Sequence, residues 1–325
     1  MKHTFFRHLL AFVLFAQRLL AQHDAMPYLV PFELVGNTIV VQATVNGIDG
    51  NFILDTGSPA LVLNGSYFEG IQVPWMNQAV SDFHGELSKA RHLVVESMDI
   101  DGLPVTGETA LVVNLAPLEQ TKGIPIHGII GYTNFNEMEM LLDFDKQHAL
   151  FFPTNKKGER LCRSSSYRLT DSLDLKMSGH FPCIQAVFEG KKLRLGIDTG
   201  AEANVLQSKL LKNKMGEITL TKNLEVRGIK NQRKICPRGW IKNLRIGHWE
   251  QEDREMVIAN LDELNSNLNL GLDGILGVPF LKERKLAINY KSKKIYVWED
   301  AVGTIADQEE LKKLEANKGA AKQEH

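Results

Sequence analysis

The chain of 325 residues reads as an all-β protein built from two similar β-lobes related by a pseudo-two-fold axis. Two observations predict this. Short apolar or alternating runs are separated by Gly-containing turns, with little helical periodicity between them. The pattern also occurs twice: IVVQATVNGIDGNFILDTGSPALVLN, beginning at Ile39, aligns with PCIQAVFEGKKLRLGIDTGAEANVLQ, beginning at Pro182, without a gap. The two Asp-Thr-Gly tripeptides, Asp55-Thr56-Gly57 and Asp198-Thr199-Gly200, thereby fall 143 residues apart.

Taken in order, residues 1–21 read as a secretory signal peptide. Lys2, His3, Arg7 and His8 precede the apolar run Leu9 to Ala16, Arg18 falls late in the segment, and cleavage fits between Ala21 and Gln22. The apolar run is too short to span a bilayer, so no membrane span is expected after cleavage. The first lobe covers 22–152, with an extra strand possible before Gly36. Its core unit is the strand IVVQATV, a hairpin signal at Asn46-Gly47, and NFIL leading into the acidic turn and ALVL. The second lobe, 181–300, repeats this as CIQAVF, Glu189-Gly190, LRLGI, the second acidic turn and ANVL.

The correspondence continues with slowly growing offset, as small loop insertions in duplicated units produce. Phe83-His84-Gly85 matches Val226-Arg227-Gly228, each reading as the tip of a β-hairpin. SMDIDG matches KNLRIG, and HGIIG matches DGILG. NFNEMEM and PFLKERK then predict a short helix or turn, followed by the strand pairs LLDF/ALFF and LAINY/KIYVW. Residues 153–180, polar and Ser-rich, read as a connector. Residues 301–325 are charged and read as a frayed or flexible tail.

Composition narrows the function classes. The chain is 43% hydrophobic and 24% charged with formal net charge −1, so no global field favours nucleic acid or an anionic membrane. The three cysteines, Cys162, Cys183 and Cys236, leave at least one unpaired in a monomer and read as buried thiols. The histidines lack the spacing to carboxylates that binds zinc, so neither a metal nor a cofactor is expected.

A single Asp-Thr-Gly is an ordinary turn. Two, each after a buried strand, suggest two carboxyls meeting across the pseudo-dyad. Gly57 and Gly200 let the backbone present N–H groups to the carboxylate, and Thr56 and Thr199 can hydrogen-bond across to the other copy. Carboxyls in contact do not both ionise cheaply, so they share a proton; one can then act as general base on water while the other polarises a carbonyl. Ser58 follows the first motif and Ala201 the second. A Ser58 hydroxyl donating to Asp55 would make Asp55 the more readily ionised partner, and Ser58→Ala would then raise the lower apparent pKa.

With these motifs the chain resembles the retropepsin-like aspartic peptidases, the superfamily of pepsins and retroviral proteases, from about Thr38 to Trp298. The lobes are shorter and more alike than in pepsins, closer to a fused dimer of retroviral-type subunits. The resemblance implies an acid-protease-like bilobal fold with Asp55 and Asp198 as catalytic dyad and Thr56 and Thr199 as interlobe grip. It places Phe83, His84, Gly85, Arg227 and Gly228 at substrate-covering flaps, with Phe83 and His84 where pepsins carry a flap Tyr. Ile129-Ile130-Gly131 and Leu276-Gly277 would pack under the acidic loops. The implied activity is an exported, periplasmic or extracellular aspartic endopeptidase acting on extended peptides, and one chain suffices for it. The alternative is a catalytically silent peptide-binding module on the same fold.

Other polar residues read as structural: His127 and Asp273 before the Gly-Ile elements, and Asp143 and Asn289 as turn anchors. Trp240, Trp249 and Trp298 read as core or edge packing.

Overall fold

The computed structural model describes residues 26–68, 78–81, 87–105, 109–162, 166–211, 218–227, 233–249 and 253–301. The signal segment 1–21, the tail beyond Ala301, and Phe83, His84, Gly85 and Gly228 lie outside the described residues.

The two copies fold alike. In the first, Thr38–Val45 and Ile48–Leu54 pair antiparallel, and in the second, Phe181–Phe188 and Lys191–Ile197 do the same. The connecting turns are two-residue turns with both residues left-handed: Asn46 at φ 49° and Gly47 at 78°, Glu189 at 49° and Gly190 at 74°. Such turns match the right-handed twist of the flanking strands.

The strand after each acidic loop, Val62–Asn64 or Val205–Gln207, does not return beside its predecessor. Gly128–Ile130 or Gly274–Leu276 inserts between them, parallel to the incoming strand and antiparallel to the outgoing one. This inserted strand receives the acidic loop: Asp55 N–H donates to Ile130 O at 2.9 Å and Asp198 N–H to Leu276 O at 3.0 Å. A further strand, Thr109–Val113 or Arg254–Ala259, flanks the outgoing strand in parallel. The two Gly-Ile elements are therefore structural supports of the loops. Gly131 and Gly277 end them where a Cβ would lie 2.5 Å from Ala60 O or 2.3 Å from Ala201 O. The one-turn helices Tyr132–Phe135 and Val278–Leu281 follow, where the sequence predicts a short helix or turn.

The strand pairs near the end of each copy do not stay within their own lobes. Met138–Asp143, His148–Pro153, Lys285–Asn289 and Lys294–Asp300 form one antiparallel sheet shared by both halves, joined at Glu139 opposite Asn289. Tyr28–Pro31 closes one edge, supplying the extra N-terminal strand, and Tyr167–Asp174 closes the other. The stretch read as connector thus carries two strands, Tyr167–Asp174 and Lys176–Ser178. The first is a polar edge strand with a bulge between Leu169 and Asp171, so it shows no clean alternation.

Asp143 and Asn289 are buried in the shared sheet and anchor its turns. Asp143 Oδ1 accepts from Lys146 N–H at 3.1 Å, and Asn289 Oδ1 from Ser292 N–H at 2.9 Å. Trp249 is buried and Trp298 lies 4.0 Å under the Arg160 guanidinium, whereas Trp240 is 41% exposed and is no core residue. Cys162, Cys183 and Cys236 are buried thiols, and burial pushes Cys183 up to about 12.

Candidate active site

Strands Ile48–Leu54 and Lys191–Ile197 end at Asp55 and Asp198, and a reciprocal set of hydrogen bonds clamps the two loops together. Thr56 Oγ1 donates to Ile197 O at 2.9 Å and accepts from Thr199 N–H at 3.0 Å. Thr199 Oγ1 donates to Leu54 O at 2.8 Å and accepts from Thr56 N–H at 2.8 Å. Both threonines are fully buried, so all four bonds form away from water, where an unmade one is costly.

The clamp brings the two carboxyls into hydrogen-bond contact with each other. Each is also held by its own loop. Asp55 Oδ1 accepts from Gly57 N–H at 2.7 Å and Ser58 N–H at 3.1 Å, and Asp198 Oδ1 accepts from Gly200 N–H at 2.8 Å. The glycines are required by proximity across the lobes. A Cβ on Gly57 would lie 2.8 Å from Asp198 Oδ1, and one on Gly200 would lie 2.4 Å from Asp55 Cγ.

Burial raises both carboxyls above the ordinary aspartate range, but unequally. For Asp55 the rise is opposed by the hydrogen bond from Asp198 and by the Gly57 and Ser58 N–H groups. For Asp198 burial is reinforced by the Asp55 charge and by their shared hydrogen bond, which only partly yields to the Gly200 and Ala201 N–H groups. Two carboxyls in such contact share one proton, and the surroundings of Asp55 favour its ionised form more than those of Asp198 do.

The inequality does not come from the Ser58 hydroxyl. Ser58 Oγ donates to Ala60 O at 2.9 Å, and it is the backbone N–H of Ser58 that meets Asp55. A nearby main-chain acceptor wins the hydroxyl, a local competition usual for Ser in turns.

Two residues that sequence reasoning passed over stand beside the pair. His180 reaches the first acidic loop from the second lobe, its Nε2 2.8 Å from Gly57 O. Tyr290 is buried with its ring edge-on to Tyr132, 5.0 Å between centroids, and its hydroxyl has no protein partner among the described residues. Burial, with the negative charges of the nearby carboxyls, pushes Tyr290 well up, so it remains a phenol. The available signals were positional: His180 matches Asn37 in the first copy, and Tyr290 matches Phe144.

Of the expected flap residues, Arg227 ends the strand Leu224–Arg227, which pairs with Arg233–Cys236 in a hairpin flanking 228–232. Gln78–Ser81 and Leu87–Val94 form the corresponding hairpin flanking 82–86. His127 stacks on Tyr67 at 3.9 Å, and its Nδ1 accepts from Asn51 N–H at 3.3 Å. Asp273 Oδ2 accepts from Arg194 N–H at 2.9 Å, so both residues brace the strands that lead into the acidic loops. Among the described residues no group of three or more His, Cys, Asp or Glu side chains is placed to hold a metal ion.

Curated proteins yield no match to this sequence. The family model of aspartyl proteases matches residues 41–133 and 184–280, one segment in each copy and together more than half of the chain. The chain belongs to this family, the retropepsin-like aspartyl proteases.

Proposed function

We propose that this member of the aspartyl protease family is an endopeptidase that hydrolyses peptides bound in extended form, using the Asp55/Asp198 pair. The observation that carries the reading is the buried, hydrogen-bonded carboxyl pair, held across the two lobes by the Thr56–Thr199 clamp. Asp55 takes a proton from water as the oxygen attacks the scissile carbonyl carbon, while Asp198 gives its proton to the carbonyl oxygen. The tetrahedral diol then collapses: Asp55 returns its proton to the leaving nitrogen, Asp198 recovers one from a diol hydroxyl, and the C–N bond breaks. Both acids are restored and one water is consumed. The Gly57, Ser58 and Gly200 N–H groups hold the carboxylate oxygens without moving during the reaction, which lowers the cost of reorganisation.

Because one chain supplies both aspartates, a monomer suffices on this reading. Substrate would bind by strand-like backbone pairing, with pockets for alternate side chains. We also read residues 1–21 as an export signal. The mass of protein recovered outside the cytoplasm tests it, since cleavage after Ala21 leaves Gln22 first.

The activity is tested by incubating the chain with a peptide library between about pH 3 and about pH 8, with and without pepstatin. Pepstatin-sensitive cleavage within peptides is expected. Peptides that bind at every pH without being cut would replace the reading with that of a binding module.

A further inference from the structure

Just before its first long strand, each lobe reaches across to the acidic loop of the other. From the first lobe, Asn37 Nδ2 donates to Glu202 O at 2.9 Å, and Lys122 ion-pairs with the Glu202 carboxylate. From the second lobe, His180 Nε2 lies 2.8 Å from Gly57 O. Asn37 and His180 stand 143 residues apart, as do the two aspartates, so they hold equivalent places in the two copies.

The two tethers differ in what they hold. Glu202 lies beyond the tripeptide. Gly57 O belongs to the Gly57–Ser58 peptide group, whose N–H donates to Asp55 Oδ1 at 3.1 Å. A carbonyl oxygen only accepts, so His180 Nε2 carries the hydrogen. A donor on the oxygen of a peptide group polarises its N–H, and chained hydrogen bonds of this kind strengthen one another. His180 thus sits at the head of a short chain: imidazole N–H to Gly57 carbonyl, Ser58 N–H to Asp55 carboxylate.

We propose that His180 is a positioning residue of the carboxyl pair, holding the Gly57–Ser58 peptide from the opposite lobe so that the Ser58 N–H stays on the Asp55 carboxylate. Burial keeps the ring itself on the neutral side, and the Nε2–H tautomer makes the contact without a charge. Among the described residues the charged side chain acting on it is Asp55, and the Phe181 ring lies beside it at 5.8 Å.

The kinetic part of the test rests on the peptidase reading, and the spectroscopic part does not. Carboxyl carbons of Asp55 and Asp198 are followed by NMR against pH in the wild type, in His180→Phe, which keeps a ring without the donor, and in His180→Gln, which keeps an N–H at the Nε2 position. Expected is an upward displacement of the Asp55 titration in H180F and its recovery in H180Q. The value of kcat/KM for a cleaved peptide should fall at least about tenfold in H180F, its acid limb moving with the titration. Carboxyl titrations unchanged in H180F would overturn the proposal, whether or not peptides are cleaved. If the wild type cleaves nothing while the titration still moves, the peptidase reading fails and this one stands. Should H180F not fold, ring-nitrogen NMR of the wild type decides: Nε2 protonated is expected, and the Nδ1–H tautomer would overturn it.

Discussion

Replacing Thr56 with Val tests the interlobe clamp in isolation, because the two side chains have nearly the same shape. The hydroxyl donates to Ile197 O at 2.9 Å and accepts from Thr199 N–H at 3.0 Å. Valine leaves that carbonyl and that N–H buried and unpartnered, at roughly 1–3 kcal/mol each, or about 2–6 kcal/mol together. The added methyl returns up to about 0.8 kcal/mol. The net expectation is a loss of about 1–5 kcal/mol in T56V. Thr56→Ser keeps the oxygen and loses one methyl, at about 1 kcal/mol. Urea unfolding followed by Trp fluorescence, with Trp249 and Trp298 as reporters, should give midpoints in the order wild type, T56S, T56V. Thr199→Val should behave like T56V. The double mutant should cost less than the singles added, because members of one hydrogen-bond network couple by about 0.5–3 kcal/mol. A T56V midpoint equal to that of the wild type, or above that of T56S, would refute the argument.

Three further outcomes follow from the same geometry. Asp198 is held well above its unfolded value of 3.8, so the stability gained from its protonated form is full below that value and is lost as pH rises through the folded one. Asp198→Asn cannot ionise, so its melting temperature should gain on the wild type as pH rises from about 4 to about 7; a gain that grows toward acid would contradict this. Gly57→Ala and Gly200→Ala insert a methyl 2.8 Å from Asp198 Oδ1 or 2.4 Å from Asp55 Cγ, driving the carboxyls apart. Each should lose about 100-fold or more in peptide cleavage, measured as kcat/KM. Ser58→Ala removes a hydroxyl bound to Ala60 O, so it should leave the acid limb of the pH–rate profile in place. A displaced limb would restore a direct role for the hydroxyl.

The duplicated unit was legible because two independent signals coincide: buried strands leading into each acidic tripeptide, and one offset linking them. The threonine clamp follows from the same alignment, since equivalent side chains on two copies meet at the axis. The shared sheet was not legible, because a short apolar strand such as LLDF declares that it is buried and not which strand it pairs with. Tyr167–Asp174 was hidden by its polar edge position, which protects the sheet from further pairing but removes the alternation by which strands are read. Ser58 was misjudged because proximity in sequence to Asp55 says nothing of the competing carbonyl of Ala60. His180 falls at the end of the stretch read as connector and drew no reading, and only its equivalence to Asn37 marks it as one of a pair of cross-lobe tethers.

The central claim is that Asp55 and Asp198 act as one unit on water. Steady-state cleavage of a peptide cut by the wild type, measured at its optimum for Asp55→Asn, Asp198→Asn and the double variant, tests it most directly. Each single variant should lose at least about 1,000-fold in kcat, and the double should lose little more, as groups acting together do. Either single variant cleaving within about tenfold of the wild type would contradict the account.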